Sequence, residues 1–202
     1  MGPAGDSVSA AVEGDVDEAV LVKLASTHAV EVGRVFGRRG KQFIIERIKS
    51  YNQAAMHSPW LVLLDLDHDA VCGPAFAASL LPSPADLMKL RIAVRAVESW
   101  LLADRKEFAS FLSVKMAEIP DRPDEVDDPK GLVVELARGS RKLQTRRELV
   151  PRPGTRNRVG PAYASRMIEF ALYRWDPVRA EETSDSLRGC RASILHLKQR
   201  AQ

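Results

Sequence analysis

Cysteine is scarce in this sequence, with only Cys72 and Cys190 among 202 residues, and neither belongs to a Cys-x-x-Cys motif. A disulfide framework and a zinc site are therefore not indicated, and we expect both thiols to be reduced. The sequence also lacks an unbroken apolar run long enough for a membrane helix. Residues 1–5 lack the basic start and the apolar run of a signal peptide. We therefore expect a cytoplasmic protein that does not associate with membranes.

Charge of either sign is not in large excess, since 30 Lys and Arg stand against 27 Asp and Glu. The charges are unevenly distributed, however, because residues 118–128 are acidic and residues 138–158 are basic, with Glu148 as the one carboxylate of the basic segment. Its basic residues are Arg138, Arg141, Lys142, Arg146, Arg147, Arg152, Arg156 and Arg158. Such a segment fits contact with a phosphate backbone or, alternatively, an ordinary solvated surface.

The hydrophobic pattern predicts strands that alternate with helices in the first part of the chain. Strands are predicted at residues 8–13, 30–36, 60–64 and 87–94, and helices at 17–26, 42–55 and, with a break, 96–112. This alternation is typical of an α/β fold with a parallel β-sheet flanked by helices. Further helices are predicted at 130–137, 163–173 and 186–197. We therefore divide the chain into an α/β core, 1–118, and a mainly helical C-terminal extension, 119–202.

Acidic residues occur where two of the predicted strands end. Glu13 closes the first strand, and Asp65 and Asp67 close the third. Ligands of parallel sheets collect at the carboxyl ends of the strands, so the three acids can reach one crevice. Alternate residues of a strand share a face, which predicts that Asp65 and Asp67 project together. Clustered carboxylates repel each other unless a cation lies between them, and their oxygens suit Mg²⁺, which promotes phosphodiester cleavage.

Several motifs resemble those of a known family. Residues 12–17, Val-Glu-Gly-Asp-Val-Asp, resemble the Glu-Gly-x-x-Asp opening of Toprim domains, and residues 63–67, Leu-Leu-Asp-Leu-Asp, resemble their Asp-x-Asp strand. Residues 95–104 resemble a signature of small Toprim-like proteins related to the OLD nucleases, a family often linked with ATPases in bacterial defence. Residues 128–130 and 160–163 are similar to later motifs of that family. The resemblance spans nearly the whole chain.

The resemblance implies a metal-dependent nuclease or nickase that uses Mg²⁺ or Mn²⁺. It implies that Glu13 is a general acid/base or a metal ligand, and that Asp65 and Asp67 are metal ligands. Glu98 is implied as a ligand of a second metal, and Asp17 as a further metal residue or a support of the first loop, although Asp17 also fits a helix N-cap. The chain lacks the large ATPase domain of full-length OLD enzymes, so any ATP dependence implies a separate ATPase partner.

Basic residues at two places are expected to hold nucleic acid. Arg38, Arg39 and Lys41 follow the second predicted strand at the same carboxyl edge, where they can grip phosphate. The expected contacts in the basic segment are Arg146, Arg147, Arg156 and Arg158. Basic turn residues are also common on ordinary protein surfaces, which stays the alternative interpretation.

Two other functions stay open. Four apolar residues followed by Asp-x-Asp also resemble the first motif of haloacid-dehalogenase (HAD) phosphatases, in which Asp65 would be the nucleophile and Asp67 the general acid. That motif normally opens its domain, whereas two strand–helix units precede it here. A Toprim module without catalytic activity could instead bind nucleic acid or an ATPase. Individually, Glu98 and Asp104 also fit ordinary helix-surface acids, and Tyr163 fits a core aromatic.

Overall fold

The computed structural model describes residues 7–201. Residues 1–5, from which we expect no signal peptide, lie outside this range. The strands of this range are β1 Ser7–Val12, β2 Glu31–Gly37, β3 Trp60–Asp65 and β4 Met88–Ala93. Its helices are α1 Asp15–Ser26, α2 Lys41–Ile45, α3 Ile48–Ala54, α4 Gly73–Leu80, α5 Val97–Ala103, α6 Arg105–Leu112, α7 Pro129–Arg138, α8 Leu143–Leu149, α9 Tyr163–Tyr173, α10 Pro177–Ala180 and α11 Asp185–Ala201. Within the described range, no helix is both long and apolar enough to cross a membrane.

The four strands form one parallel sheet in the order β2-β1-β3-β4, which confirms the predicted α/β class. Every residue of β3 is buried, because β3 lies inside the sheet and helices cover both of its faces. This explains why its sequence is a continuous apolar run instead of an alternating one. The carboxyl ends of the strands therefore meet at one edge of the sheet.

Successive residues of β3 pack into different hydrophobic clusters. Leu61 and Leu63 belong to the cluster on one face, and Val62 and Leu64 to the cluster on the other. The first cluster also contains buried side chains of the C-terminal helices, among them Phe170 of α9. Residues 119–201 thus pack against the same face of the sheet as α1 and α5. The division of the chain at residue 118 stays a prediction, but the C-terminal part shares its core with the α/β part.

The helices differ from the prediction at a few places. The helix predicted at 42–55 is interrupted between α2 and α3, where the Arg47 N–H donates to the Ile44 carbonyl three residues back and tightens the turn. The short helices α4, α8 and α10 have no counterpart among the predicted elements. The sequence of α4, Gly-Pro-Ala-Phe-Ala-Ala-Ser-Leu, is mostly small and apolar and has no polar face, so periodicity does not reveal it.

Asp104, between α5 and α6, is buried, so its interpretation as a helix-surface acid is wrong. Its carboxylate accepts hydrogen bonds from Arg179 Nε at 2.9 Å and Arg179 Nη2 at 2.7 Å, and a third from the Asp176 N–H at 2.9 Å. Nearby, the Trp175 indole N–H donates to the Trp100 carbonyl at 3.0 Å. These bonds fasten the segment before α10 to the α5–α6 corner.

We predict that Asp104→Ala lowers the free energy of unfolding by about 2–3 kcal/mol, because it removes a buried acceptor of three hydrogen bonds. Chemical denaturation measures this loss. The control is Glu125→Ala, which removes an exposed ion pair with Arg122 and should cost less than about 1 kcal/mol. Equal losses in the two variants would contradict the role of Asp104.

Candidate acidic site

Four carboxylates converge at the carboxyl edge of the sheet. Glu13 directly follows β1, Asp17 lies in the first turn of α1, Asp65 ends β3, and Glu98 lies in the first turn of α5 after β4. The Asp65 N–H donates to Glu13 Oε1 at 2.8 Å, and Asp65 Oδ1 accepts from the Val97 N–H at 3.0 Å. These bonds join the ends of β1 and β3 to the start of α5.

Three of these acids are withdrawn from solvent. Only 7% of Asp17, 8% of Asp65 and 2% of Glu98 is exposed. The interpretation of Glu98 as a helix-surface acid is therefore wrong, and its burial follows from its helix, since every residue of α5 is buried. Asp17 is likewise not the N-cap of α1, because Gly14 occupies that position.

Two carboxylate oxygens of this group are buried without a hydrogen-bond partner in the described part of the chain. They are Asp17 Oδ1 and Glu98 Oε2. The other oxygen of Glu98 accepts from the Tyr163 hydroxyl at 3.1 Å and lies 3.7 Å from Lys130 Nζ. An unpaired buried carboxylate is costly unless it takes up a proton or a cation. The cluster is therefore poised to gain one or the other.

The pKa values of the acids reflect this cost. Burial, followed by the charges of Glu13 and Glu98, raises the pKa of Asp17 to about 7. Burial, followed by the charges of Asp17 and Glu98, holds the pKa of Asp65 well above its usual range. Burial also raises the pKa of Glu13, against the hydrogen bond from the Asp65 backbone. Glu13, Asp17 and Asp65 thus hold protons more tightly than free carboxylates do.

Asp67 does not share a strand face with Asp65, and that expectation is wrong. β3 ends at Asp65, and Asp67 lies in the following turn with φ 46°, so strand alternation does not apply to it. Its side chain is 56% exposed and accepts from Lys41 Nζ at 2.6 Å. Asp67 is still close enough for its charge to raise the pKa of Glu13 and Asp65. It therefore lies at the mouth of the cluster.

The three basic residues after β2 have different surroundings. Lys41 Nζ lies between the carboxylates of Asp67 and Asp69, at 2.6 Å from each. Arg38 instead pairs with Glu18 at 3.0 Å, and the Arg39 guanidinium lies over the Phe43 ring. Of this group, only Lys41 reaches the acids at the carboxyl edge within the described contacts. Its charge also lowers the pKa of Glu13.

Lys130 and Tyr163 were not among the predicted site residues. Asp128 caps α7 by accepting from the Gly131 N–H at 2.9 Å, which fixes Lys130 in the first turn of that helix. The charge of Glu98 raises the pKa of Lys130, and burial followed by Glu98 raises the pKa of Tyr163. Motif resemblance touches both residues, but a single Lys or Tyr has no spacing that marks it as part of a site. The C-terminal part therefore completes the cluster.

The arginines of the basic segment lie at different surface sites. Arg158 pairs with Asp128 at 2.8 Å and borders a crevice of about 160 Å³, together with Asp67, Arg95 and Lys130. Arg146 and Arg147 line another cavity, after α7, and Arg156 is exposed and lines neither space. The crevice lies beside the acidic cluster, since Asp67 and Lys130 belong to both. The predicted nucleic-acid contacts are therefore spread over distinct surfaces.

The donor atoms fit a hard cation. All four acids offer carboxylate oxygens, which Mg²⁺ and Mn²⁺ prefer, and two buried oxygens are unpartnered. The residues that would hold it are Glu13, Asp17, Asp65 and Glu98. In residues 7–201, however, no three His, Cys, Asp or Glu side chains are already arranged as a metal-binding group. The acids are thus close and suitable in chemistry but not preformed as a closed ligand set.

Comparison with known proteins adds no relative: no family model, curated protein or solved structure matches this sequence. The resemblance to Toprim domains accordingly depends on the motifs alone.

We predict that the metal-free protein loses stability as the pH rises. An acid whose pKa is higher in the folded state than in the unfolded state destabilises the fold as it ionises. For Asp17 this loss of folding stability therefore falls between pH 3.8, its ordinary pKa, and about pH 7, its pKa in the folded protein. Its raised pKa corresponds to about 4 kcal/mol. Asp17→Asn should remove this part of the decline when unfolding is followed in chelator from about pH 4 to about pH 8.

The control is Asp15→Asn, which alters an exposed acid in the same helical turn. It should keep the decline of the unmodified protein. A decline of the same size in Asp17→Asn would show that Asp17 is not a source of it.

Proposed function

We propose that this chain is a Mg²⁺- or Mn²⁺-dependent phosphodiesterase of the Toprim type that cuts or nicks nucleic acid. The observation that carries the proposal is the group of four carboxylates at the carboxyl edge of a parallel sheet. Three of them are buried, and Asp17 and Glu98 each have an unpartnered buried oxygen. In a purely structural ion-pair network these oxygens would accept hydrogen bonds from neighbouring residues, whereas in a cation-binding site they are free to act as ligands.

The charges also favour a cation site. Lys130 is the cation near the buried acids, and it approaches one oxygen of Glu98 at 3.7 Å, which is longer than a hydrogen bond. One ammonium group does not balance three buried carboxylates, and Lys41, which approaches Glu13, is already paired with Asp67 and Asp69. A bound divalent ion would polarise a phosphoryl oxygen and offset the charge that develops on the leaving oxygen.

The residues of the chain have distinct roles in this proposal. Glu13, whose pKa is raised and whose Oε1 is held by the Asp65 N–H, is suited to accept or donate a proton at the scissile phosphate. Lys130, Arg95 and Arg158 border the adjoining crevice and would position phosphate oxygens there. Arg95 and Arg158 now pair with the exposed acids Asp127 and Asp128, and such surface pairs are weak enough to exchange for phosphate.

The phosphatase alternative fits these contacts less well. A nucleophilic Asp65 would need ready access to substrate, but only 8% of Asp65 is exposed and its Oδ1 already accepts from the Val97 N–H. Asp67, the general acid of that alternative, is held in an ion pair with Lys41.

Our test is the nicking of supercoiled plasmid with Mg²⁺ or Mn²⁺. The unmodified protein should nick, and Asp65→Asn and Glu98→Gln should each lower the rate by about 100-fold, because both remove a charged oxygen ligand but keep the side-chain shape. The control is Asp86→Asn, an exposed acid in the loop before β4, which should keep full activity. Release of phosphate from small esters without nicking would support the phosphatase alternative instead.

Metal binding is measured separately from cleavage. Mg²⁺ should raise the unfolding temperature of the unmodified protein, since a ligand that binds the folded state stabilises it, and Asp65→Asn should lose most of this rise. A thermal shift without nicking would indicate a metal-binding module without catalytic activity. An equal rise of the unfolding temperature in the unmodified protein and Asp65→Asn would show that the acidic cluster does not bind the metal.

We predict that Arg158, which borders the crevice, and the exposed Arg156 of the same loop contribute to nucleic-acid binding. Removal of a phosphate contact lowers the slope of log affinity against log salt by about one unit, so Arg156→Ala with Arg158→Ala should flatten the slope by up to about two units. Binding isotherms with duplex and single-stranded oligonucleotides over a salt series measure this slope. Arg188→Ala with Arg200→Ala is the matched control, because it removes the same charge from exposed positions of α11. Identical slopes for both double variants would show that Arg156 and Arg158 do not contact nucleic acid and are ordinary solvated residues.

A further inference from the structure

Four arginines surround a cavity of about 460 Å³ at the end of α7, in α8 and in the loop that follows α8. They are Arg138, Arg146, Arg147 and Arg152. The rest of the wall is apolar and consists of Val150, Pro151 and Pro153. No residue of this wall also borders the crevice beside the acidic cluster, so the two spaces are separate within the described residues.

The cavity carries an excess of positive charge. Arg138 pairs with Glu135 at 3.3 Å, and the Arg146 guanidinium donates to the Ser140 carbonyl, which is uncharged. Arg147 and Arg152 are exposed, and no ion pair or side-chain hydrogen bond within the described chain engages their guanidinium groups. One carboxylate therefore stands against four guanidinium groups. Such a concentration of one charge attracts anions.

The scaffold that presents these groups is held in place. Ser140 Oγ donates to the Leu112 carbonyl and accepts from the Lys142 N–H at 3.0 Å, which ties the α7–α8 turn to the end of α6. The proline rings of Pro151 and Pro153 fix φ in the part of the wall that the loop after α8 forms. Two of the arginines are thus oriented by local bonds before any anion arrives, which lowers the entropic cost of binding.

We propose that this cavity binds a phosphate monoester, either the 5′-terminal phosphate of a nucleic-acid strand or the phosphate of a free nucleotide. A monoester carries nearly two negative charges at neutral pH, whereas each backbone diester carries one, so a concave group of arginines favours the monoester. The volume is in the range of small-ligand pockets, and the valine and proline wall offers an apolar surface to the attached sugar and base. The site needs neither a metal nor cleavage, so it goes beyond the function proposed above.

The experiment compares two single-stranded oligonucleotides of one sequence, with a 5′-phosphate or a 5′-hydroxyl, in chelator and at fixed salt. The unmodified protein should bind the phosphorylated strand about tenfold more tightly, as expected of charge-assisted hydrogen bonds to a terminal dianion. Arg147→Gln with Arg152→Gln should abolish this preference. Both positions are exposed, and thermal unfolding of the variant checks that its fold is retained.

The matched control is Arg156→Gln with Arg158→Gln, which removes equal charge from the same segment outside the cavity. It should weaken the binding of both strands alike and keep the ratio of their affinities.

Competition with 5′-AMP distinguishes the two sources of the phosphate. Displacement of the phosphorylated strand by equimolar 5′-AMP indicates a nucleotide site, and failure of 5′-AMP to displace it indicates a strand-end site. Equal affinity for the two strands, or loss of the ratio in the control, would overturn the proposal. Because no metal is present, this result is independent of the plasmid-nicking result.

Discussion

The hydrogen bonds of Asp65 connect the parts on which the rest of the site depends. Its backbone N–H donates to the Glu13 carboxylate, and its own carboxylate accepts from the Val97 N–H. One residue at the end of the central strand β3 thereby fixes the end of β1 and the first turn of α5, which carries Glu98. The approach of the acids is consequently a result of strand order, since β3 lies between β1 and β4.

The buried acids of this arrangement lower the stability of the fold. Buried carboxylates with raised pKa values destabilise the folded protein when they ionise, and the apolar clusters on both sheet faces must offset that cost. Packing of α9 against α1 contributes to this offset, and it also brings Tyr163 to Glu98. The side chain that stabilises one oxygen of Glu98 thus comes from the C-terminal part, which therefore supports both the core and the site.

Strand positions were predictable because β3 and its neighbours have the apolar patterns of a covered parallel sheet, and the acids at strand ends followed from them. The site was less predictable. The turn at Asp67 depends on a backbone conformation with positive φ, and the burial of Glu98 depends on helices distant in sequence. Lys130 reaches the site through a cap on α7, which no local spacing connects with β1 or β3. Such long-range contacts have no periodic signal in the sequence.

The basic segment shows how a charge pattern acquires meaning only through the fold. In sequence, residues 138–158 are one basic run, whereas in space Arg158 faces the crevice of the acids, and Arg146 and Arg147 face a separate cavity. Helix α8 causes this separation, because it places its arginines on the α7 side while the following loop returns toward α9. A strand held only by the backbone would need a continuous track of charge. In the two functions proposed above, the separated basic spaces contact distinct phosphates, an internal phosphate at the crevice and a terminal phosphate in the cavity.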